Sequence, residues 1–430
     1  MAIAPMTRTI LADTIQDVWQ NELAVLIPKH RSPTFDMIFR NGDGSNYLNG
    51  SKFVMPIQHV ASTGAGSDYA TARANYTPGA FDQFEVTTAQ KYMPFSVYHD
   101  AILAASGDTA RIKDLVKFQM GASLHRLQRL FNKELFDDGS GVVGQIHSST
   151  TVGSATLVLT NLADHLNFEK GDVLLASATR TGSPRAGSIT VASVKRTEGT
   201  VSGTTVLTCT GNLTAGISAI ATGDYLFHAG TIVGSGAGYT PAHGIFSWLP
   251  KADPSDTFCG VDRSIETQRR SGIRVSVVGH SVLSAISKMV ARAQLYEIYD
   301  LSPYVLVSSP ANAMAATNEI GARSEEMAGG PFTHYAGLTE VKTKTARLPL
   351  LGDPFCPNDV ILMLRTDDWF FPRLGGASIP HVMNFDGLQM LRDTSGSAPY
   401  YTGDYVSHYN LACARIDRQL IATGFNAAPI

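Results

Sequence analysis

The chain has 430 residues, is 44% hydrophobic and 17% charged, and carries a formal net charge of −3. That much apolar side chain can bury a sizeable core and argues against wholesale disorder; the charge balance lacks the basic stripe of a dedicated DNA-binding protein. Four separated cysteines with no CxxC pair (Cys209, Cys259, Cys356 and Cys413) argue against a disulfide framework or a zinc site and fit a reducing compartment. The amino terminus lacks the basic head and apolar core of a signal peptide, and no run approaches the roughly 18 apolar residues of a membrane span, so a soluble protein made in a cytoplasm is expected. At about 150 residues per domain the length suggests roughly two to four domains.

In chain order, Ile10, Leu11, Ile15, Val18, Trp19 and Leu23 give residues 8–28 a helical apolar spacing. The segment "HRSPTFDMIFRNGDGSNYLNG" that follows reads as turn-rich, with little regular structure. Its Asn41–Ser45 stretch suggests a calcium loop, but the sixth and twelfth positions hold Asn46 and Lys52 where Gly and Glu are needed. Two strand-like runs come next, "SKFVMPIQ" and "FEVTTAQKYMPFSVY". They flank "HVASTGAGSDYATARANYTPGAFDQ" (His59–Gln83), 25 residues with only three charges. Loops of that length are usually functional or disordered. Each flanking run carries a proline, Pro56 and Pro94, which places it at a sheet edge or bulge. The expectation is a two-stranded ribbon projecting on its own, and an isolated hairpin is marginal in water without cover.

Thr109–Phe136 is the longest helical signal. Ile112, Leu115, Val116, Met120, Leu124, Leu127, Phe131 and Leu135 form one stripe, Asp108 is the candidate N-cap, and Asp138-Gly139 marks the exit. Such a helix is about 42 Å long. Arg111, Lys113, Lys117, Arg126, Arg129 and Lys133 lie off the stripe, either as a solvated basic face or as weak contacts to nucleic-acid phosphates. From Gly144 to Gly238 short Val/Thr-rich runs punctuated by glycine read as a small β-barrel or sandwich inserted into a larger body. Its exit, Gly234–Gly244, lacks the spacing of a nucleotide fingerprint. Beyond it come a strand over Gly272–Val278, a helix over Ser281–Tyr296 with Val282, Ile286, Met289 and Val290 inward, a buried strand in Pro303–Pro310, a helix over Ala311–Ile320, a loop "GARSEEMAGGP", and a strand-rich carboxy-terminal stretch.

No catalytic constellation assembles. Gly279-His280-Ser281 begins like a nucleophile elbow, but Leu283 stands where a glycine is required, so Ser281 reads as a helix N-cap rather than a hydrolase serine. Asp367-Asp368 reads as a turn, Glu325-Glu326 as exposed loop charge, and the histidines show no metal spacing. No catalytic, cofactor-binding or metal-ligating residue is expected, and the protein is expected not to be an enzyme.

The order of elements, an amino-terminal arm, a long two-stranded excursion, a long amphipathic helix, a body of sheet and helices and a strand-rich return, resembles the major capsid protein of tailed bacteriophages, the Hong Kong 97-type fold. "VLVSSPANAMAATNEIG" (Val305–Gly321) looks like the strand and helix of that family's axial domain, and Gly337–Phe371 is similar to its later strands. The resemblance implies an α+β fold in which residues 1–45 are the arm, 46–100 the extended loop, 101–143 the spine helix of the peripheral domain, 144–240 an inserted β-domain, 241–371 mainly the axial domain and 372–430 the return strands. It implies pentamers and hexamers of a homo-oligomeric icosahedral head in a virion, assembled in the host cytoplasm around double-stranded DNA. Scaffolding, portal and decoration proteins are the implied partners; the short arm suggests either a separate scaffolding protein or assembly without one. Tyr69, Arg73, Tyr76 and Phe81 are the expected inter-subunit contacts at the loop tip, and Lys113, Lys117, Arg126 and Arg129 the expected weak DNA-facing cations. Some relatives weld subunits through a lysine on this loop; His59–Gln83 has none, so no such cross-link is expected. The other reading of the residues is a phage tail or adhesin protein with the β-domain as its recognition module.

Overall fold

The computed structural model describes residues 32–41, 47–48, 52–99, 109–195, 206–231, 242–328, 339–342, 347–374, 381–382, 391–393 and 400–425. The helix expected over 8–28, the Asp108 cap, the end of the calcium-like turn and most of the Gly234–Gly244 linker lie outside them. The first described element corrects an expectation: Pro33–Asn41 is a helix. Ser32 caps it, its hydroxyl accepting from the Phe35 amide at 3.2 Å, and Pro33 takes the first helical position, where its missing N–H costs nothing. Phe35 and Ile38 bury one face. The abundance of turn residues on either side had masked this Ser-Pro start signal.

The ribbon is also differently composed. Lys52–Val60 pairs antiparallel with Ala80–Thr87 as a separate two-stranded sheet. The second expected strand, however, divides at Thr88. Ala89–Tyr98 turns into the body and pairs along its whole length with Tyr400–Tyr409, Ala89 opposite Tyr409 and Tyr98 opposite Tyr400. Pro94 sits opposite Asp404 in a strand that has no second neighbour among the described residues. Both prolines therefore occupy edges, where a missing donor breaks no ladder, but only Pro56 belongs to the ribbon. The division follows from a partner far along the chain, which local alternation cannot reveal.

Thr109–Leu135 forms the long helix. Leu127, Phe131 and Leu135 bury its stripe, with the Phe131 ring edge-on to Tyr409 at 4.9 Å. Gly139 at φ +80° makes the left-handed exit. Six strands then follow in the spatial order Val142–Gln145, Tyr225–His228, Val173–Ser177, Ile189–Lys195, Val206–Cys209, Thr156–Val158. The first and last meet: Ile146 lies opposite Leu159, and the His147 and Thr160 amides donate to the Val158 and Gln145 carbonyls, both at 2.9 Å. The sheet closes on itself as a barrel around its own core of Ile146, Leu157, Leu159, Phe168, Leu174, Leu207 and Leu226.

The central sheet is mixed, in the order Ile273–Ser276, Leu420–Thr423, Val360–Arg365, Tyr304–Ser308, Arg347–Gly352, Thr339–Lys342. Val360, Leu362 and Leu364 face the core shared with Trp248, Phe131 and Trp369, whereas Ile361 and Met363 face Ile286 and Met289 of the helix Val282–Leu295. All five are fully buried, the continuous apolar run of a strand covered on both faces; at about 1.5–3 kcal/mol per buried aliphatic side chain this strand is a principal stabiliser. Leu420–Thr423 lies between two other strands of this sheet. The helix that begins at Pro310 runs to Ala328, past Ile320, so Glu325 and Glu326 lie on a helix. A glycine inside a helix costs only about 1 kcal/mol, and Gly321 does not stop this one. Its Glu319 carboxylate accepts from the Val282 and Leu283 amides, at 3.1 and 3.2 Å, and Ser281 accepts from Ser284. Ser281 is thus a cap.

Candidate assembly interface

The ribbon has an inner and an outer half. Strand alternation turns Phe53, Met55, Ile57 and His59 of one strand, and Asp82, Phe84 and Val86 of the other, toward the body. Phe84 stacks edge-on with Trp248 at 5.1 Å, Met55 and Val86 are buried in the same core, and the Glu85 amide donates to the Cys259 carbonyl at 2.8 Å. That anchoring supplies part of the cover an isolated hairpin lacks.

Outward of Val60 and Ala80 the hydrogen bonds among the described residues stay within the segment itself. Thr63 and Thr77 exchange backbone hydrogen bonds of 3.0 and 3.3 Å. A six-residue helix, Tyr69–Ala74, is capped by Asp68, whose carboxylate accepts from the Ala70 and Thr71 amides at 2.8 and 3.1 Å; bonds from Thr71 hold that carboxylate below its ordinary pKa. Gly64, at φ +135°, lets the return pass, since a Cβ there would stand 3.0 Å from the Ala72 carbonyl oxygen. The expected structureless loop is a small folded tip. Yet no residue from Ala61 to Gly79 is buried. Tyr69, Tyr76 and Phe81 are 78%, 60% and 68% exposed, and Arg73, also exposed, donates to the Tyr69 hydroxyl at 3.3 Å. Three large, exposed aromatic side chains thus lie on this one stretch of the ribbon.

Two of the four cations expected to face DNA, Arg126 and Arg129, are engaged elsewhere. The side chains of Lys113 and Lys117 are outside the described residues. Arg126 and Arg129 point into the barrel: Arg126 pairs with Asp172 at 2.6 Å, and Arg129, only 5% exposed, pairs with Glu169 and donates to the Leu166 carbonyl. The solvated basic face is corrected at these two positions because acidic residues of the barrel satisfy both guanidinium groups, a contact no local spacing encodes. His228 completes the junction, with Nε2 3.1 Å from the Asn167 carbonyl; burial first, then the Arg126 charge, lowers its pKa to about 3.

One pair that the sequence does not single out resembles a nucleophile and base. Cys259 Sγ lies 3.5 Å from His243 Nε2. Burial raises the thiol to about 12 and lowers the imidazole to about 4, so at neutral pH both are uncharged and there is no thiolate to attack. Asp368 is buried and accepts from Gln419, a structural turn. Among the described residues no three His, Cys, Asp or Glu side chains converge as metal ligands, and no helix is long and apolar enough to cross a membrane.

A projecting ribbon, a long helix and a mixed sheet flanked by helices make up the Hong Kong 97-type fold. The chain superimposes on the capsid asymmetric unit of cyanophage A-1(L) with a TM-score of 0.56 at 11% identity, over 98% of both chains. Weaker likenesses are the holo-SrpI encapsulin complex from Synechococcus elongatus (TM-score 0.45, 8% identity, 100% of this chain and 98% of that one) and the mature capsid of bacteriophage PhiM1 (0.45, 7%, 95% and 91%). No family model and no curated protein sequence matches the chain.

Proposed function

We propose that this chain is a major capsid protein that forms the pentamers and hexamers of an icosahedral phage head enclosing double-stranded DNA. The observation that carries the reading is the ribbon's outer end: exposed Tyr69 and Tyr76 on a folded tip with no buried residue, and exposed Phe81 on the strand that leads back from it. In a shell, heterologous contacts repeat and close, so a neighbour supplies the cover, by packing on the rings and along the ribbon. Tyr69, Arg73, Tyr76 and Phe81 are the inter-subunit contacts. The protein is structural, not catalytic. The barrel is an insertion into the shell fold, held against the long helix, and presents the surface on which a decoration protein would sit. Scaffolding and portal proteins are the other partners, and contact with packaged DNA is weak and sequence-independent.

Electron microscopy of the purified chain, alone and with co-expressed phage-head partners, tests the reading. Closed shells built of pentamers and hexamers are expected, and nuclease-protected double-stranded DNA inside native particles distinguishes a phage head from a shell holding protein cargo. Tubes or trimers would instead support the tail or adhesin reading.

A further inference from the structure

At the boundary between the ribbon's two halves sits a polar cluster whose parts come from distant segments. The inward face of the ribbon is apolar at its base and ends in His59 and Asp82. Arg270 reaches them from the short helix Thr267–Ser271. Its Nη2 lies 2.6 Å from Asp82 Oδ2, and its Nη1 donates to the Asp262 carbonyl at 2.5 Å. Arg270 is 5% exposed and Asp82 37%. The neighbouring Arg269 donates to the His59 carbonyl. His59 is where the ladder slips: Gln58 pairs with Phe81 and Val60 with Ala80, leaving His59 in a bulge. Two buried polar atoms in this cluster, Arg270 Nε and His59 Nδ1, have no hydrogen-bond partner among the described residues. His59 Nδ1 stands 3.5 Å from Asp82, without hydrogen-bond geometry.

We infer that Arg270, with Asp82, is the latch that sets the angle to the body of the strap formed by the ribbon's outer half, and that the His59 bulge is its pivot. Inward of the cluster the ribbon is locked by Phe84, Val86 and the Glu85–Cys259 hydrogen bond; outward of it there is only the tip's own hydrogen bonding. A charge-assisted pair placed at that boundary controls how widely the tip ranges, because a small rotation at the bulge displaces Tyr69 and Tyr76 the most. A strap held at one angle surrenders less conformational freedom when a neighbour covers it. The two unpartnered atoms mark the cluster as incompletely satisfied in this pose, as expected of a joint that also serves a second pose. The assembly consequence rests on the capsid reading; the latch itself does not.

Hydrogen exchange on the full-length unassembled chain tests the latch directly. Asp82→Asn changes the more exposed partner and keeps its shape, so folding is preserved; Arg270→Lys retains the charge but loses the fork. In both variants, amides at Gln58–Thr63 and Thr77–Phe81 are expected to exchange roughly tenfold faster or more, the loss of a charge-assisted hydrogen bond, while amides of Val360–Arg365 are unchanged. Shell formation, followed by light scattering, is expected to slow in step. Unchanged ribbon exchange in Asp82→Asn overturns the latch. Faster exchange with unaltered assembly overturns its role in the shell. Failure of the unmodified chain to form shells counts against the capsid reading and leaves the exchange result standing.

Discussion

Arg126 of the long helix meets Asp172 of the barrel at 2.6 Å, and one helical turn on, Arg129 meets Glu169. Two arginines that a helical wheel assigns to solvent thereby fasten the barrel to the helix. Arg129→Ala strands a carboxylate at a partly buried junction and is expected to destabilise the subunit by about 2–3 kcal/mol. Urea denaturation measures this. An unchanged midpoint combined with poorer DNA retention would return these arginines to the DNA-facing role.

The tip behaves oppositely. Tyr69, Tyr76 and Phe81 are exposed, so replacing all three by serine is expected to move subunit stability by no more than about 0.5 kcal/mol per site while abolishing stable shells. Deleting residues 62–80 is expected to do the same. A thermal melt beside electron microscopy separates the two effects, and normal particles from either variant would sink the strap reading.

Covalent welding through the ribbon is not expected. The lysines nearest the tip are committed elsewhere: Lys52 to Glu85 at 2.5 Å, and the largely buried Lys91 to Glu134. Boiled mature particles are expected to migrate as monomer on a denaturing gel. A ladder of multimers would contradict this.

Acid is expected to loosen the junction of helix and barrel. His228 titrates near 6.5 when unfolded and near 3 when folded, so as pH falls below about 6.5 the unfolded state takes up the proton first and stability declines, by at most about 1.4 kcal/mol per pH unit. His243, lowered to about 4, acts in the same direction. Asp164 opposes both below about 6, because burial raises it to about 6 and the folded state then binds the extra proton. His228→Gln keeps a donor for the Asn167 carbonyl and is expected to flatten the decline in urea midpoint between about pH 6.5 and 5. An identical slope in the variant would refute the assignment.

What the residues alone determined is whatever depends on short-range periodicity. The stripe from Met120 to Leu135 places the long helix, Val282, Ile286, Met289 and Val290 its shorter counterpart, and the glycine-punctuated Val/Thr runs the strands of the barrel. Period and apolarity are local properties, written in neighbouring side chains. The exposure of Tyr69, Tyr76 and Phe81 was legible too, because aromatic side chains in a long, nearly uncharged loop have nothing nearby to bury them.

Tertiary structure alone decided which strand joins which, and which charges are free. Ala89–Tyr98 leaves the ribbon because Tyr400–Tyr409 offers ten paired positions, and Leu420–Thr423 enters the central sheet between strands from two other parts of the chain. Arg126, Arg129 and Arg270 lose their solvent to carboxylates 46, 40 and 188 residues away in sequence. Strand pairing and ion pairing are satisfied across space by whichever complementary edge or charge the fold delivers. So the exposed rings of the ribbon could be named from sequence, but the pairing of Arg270 with Asp82 could not.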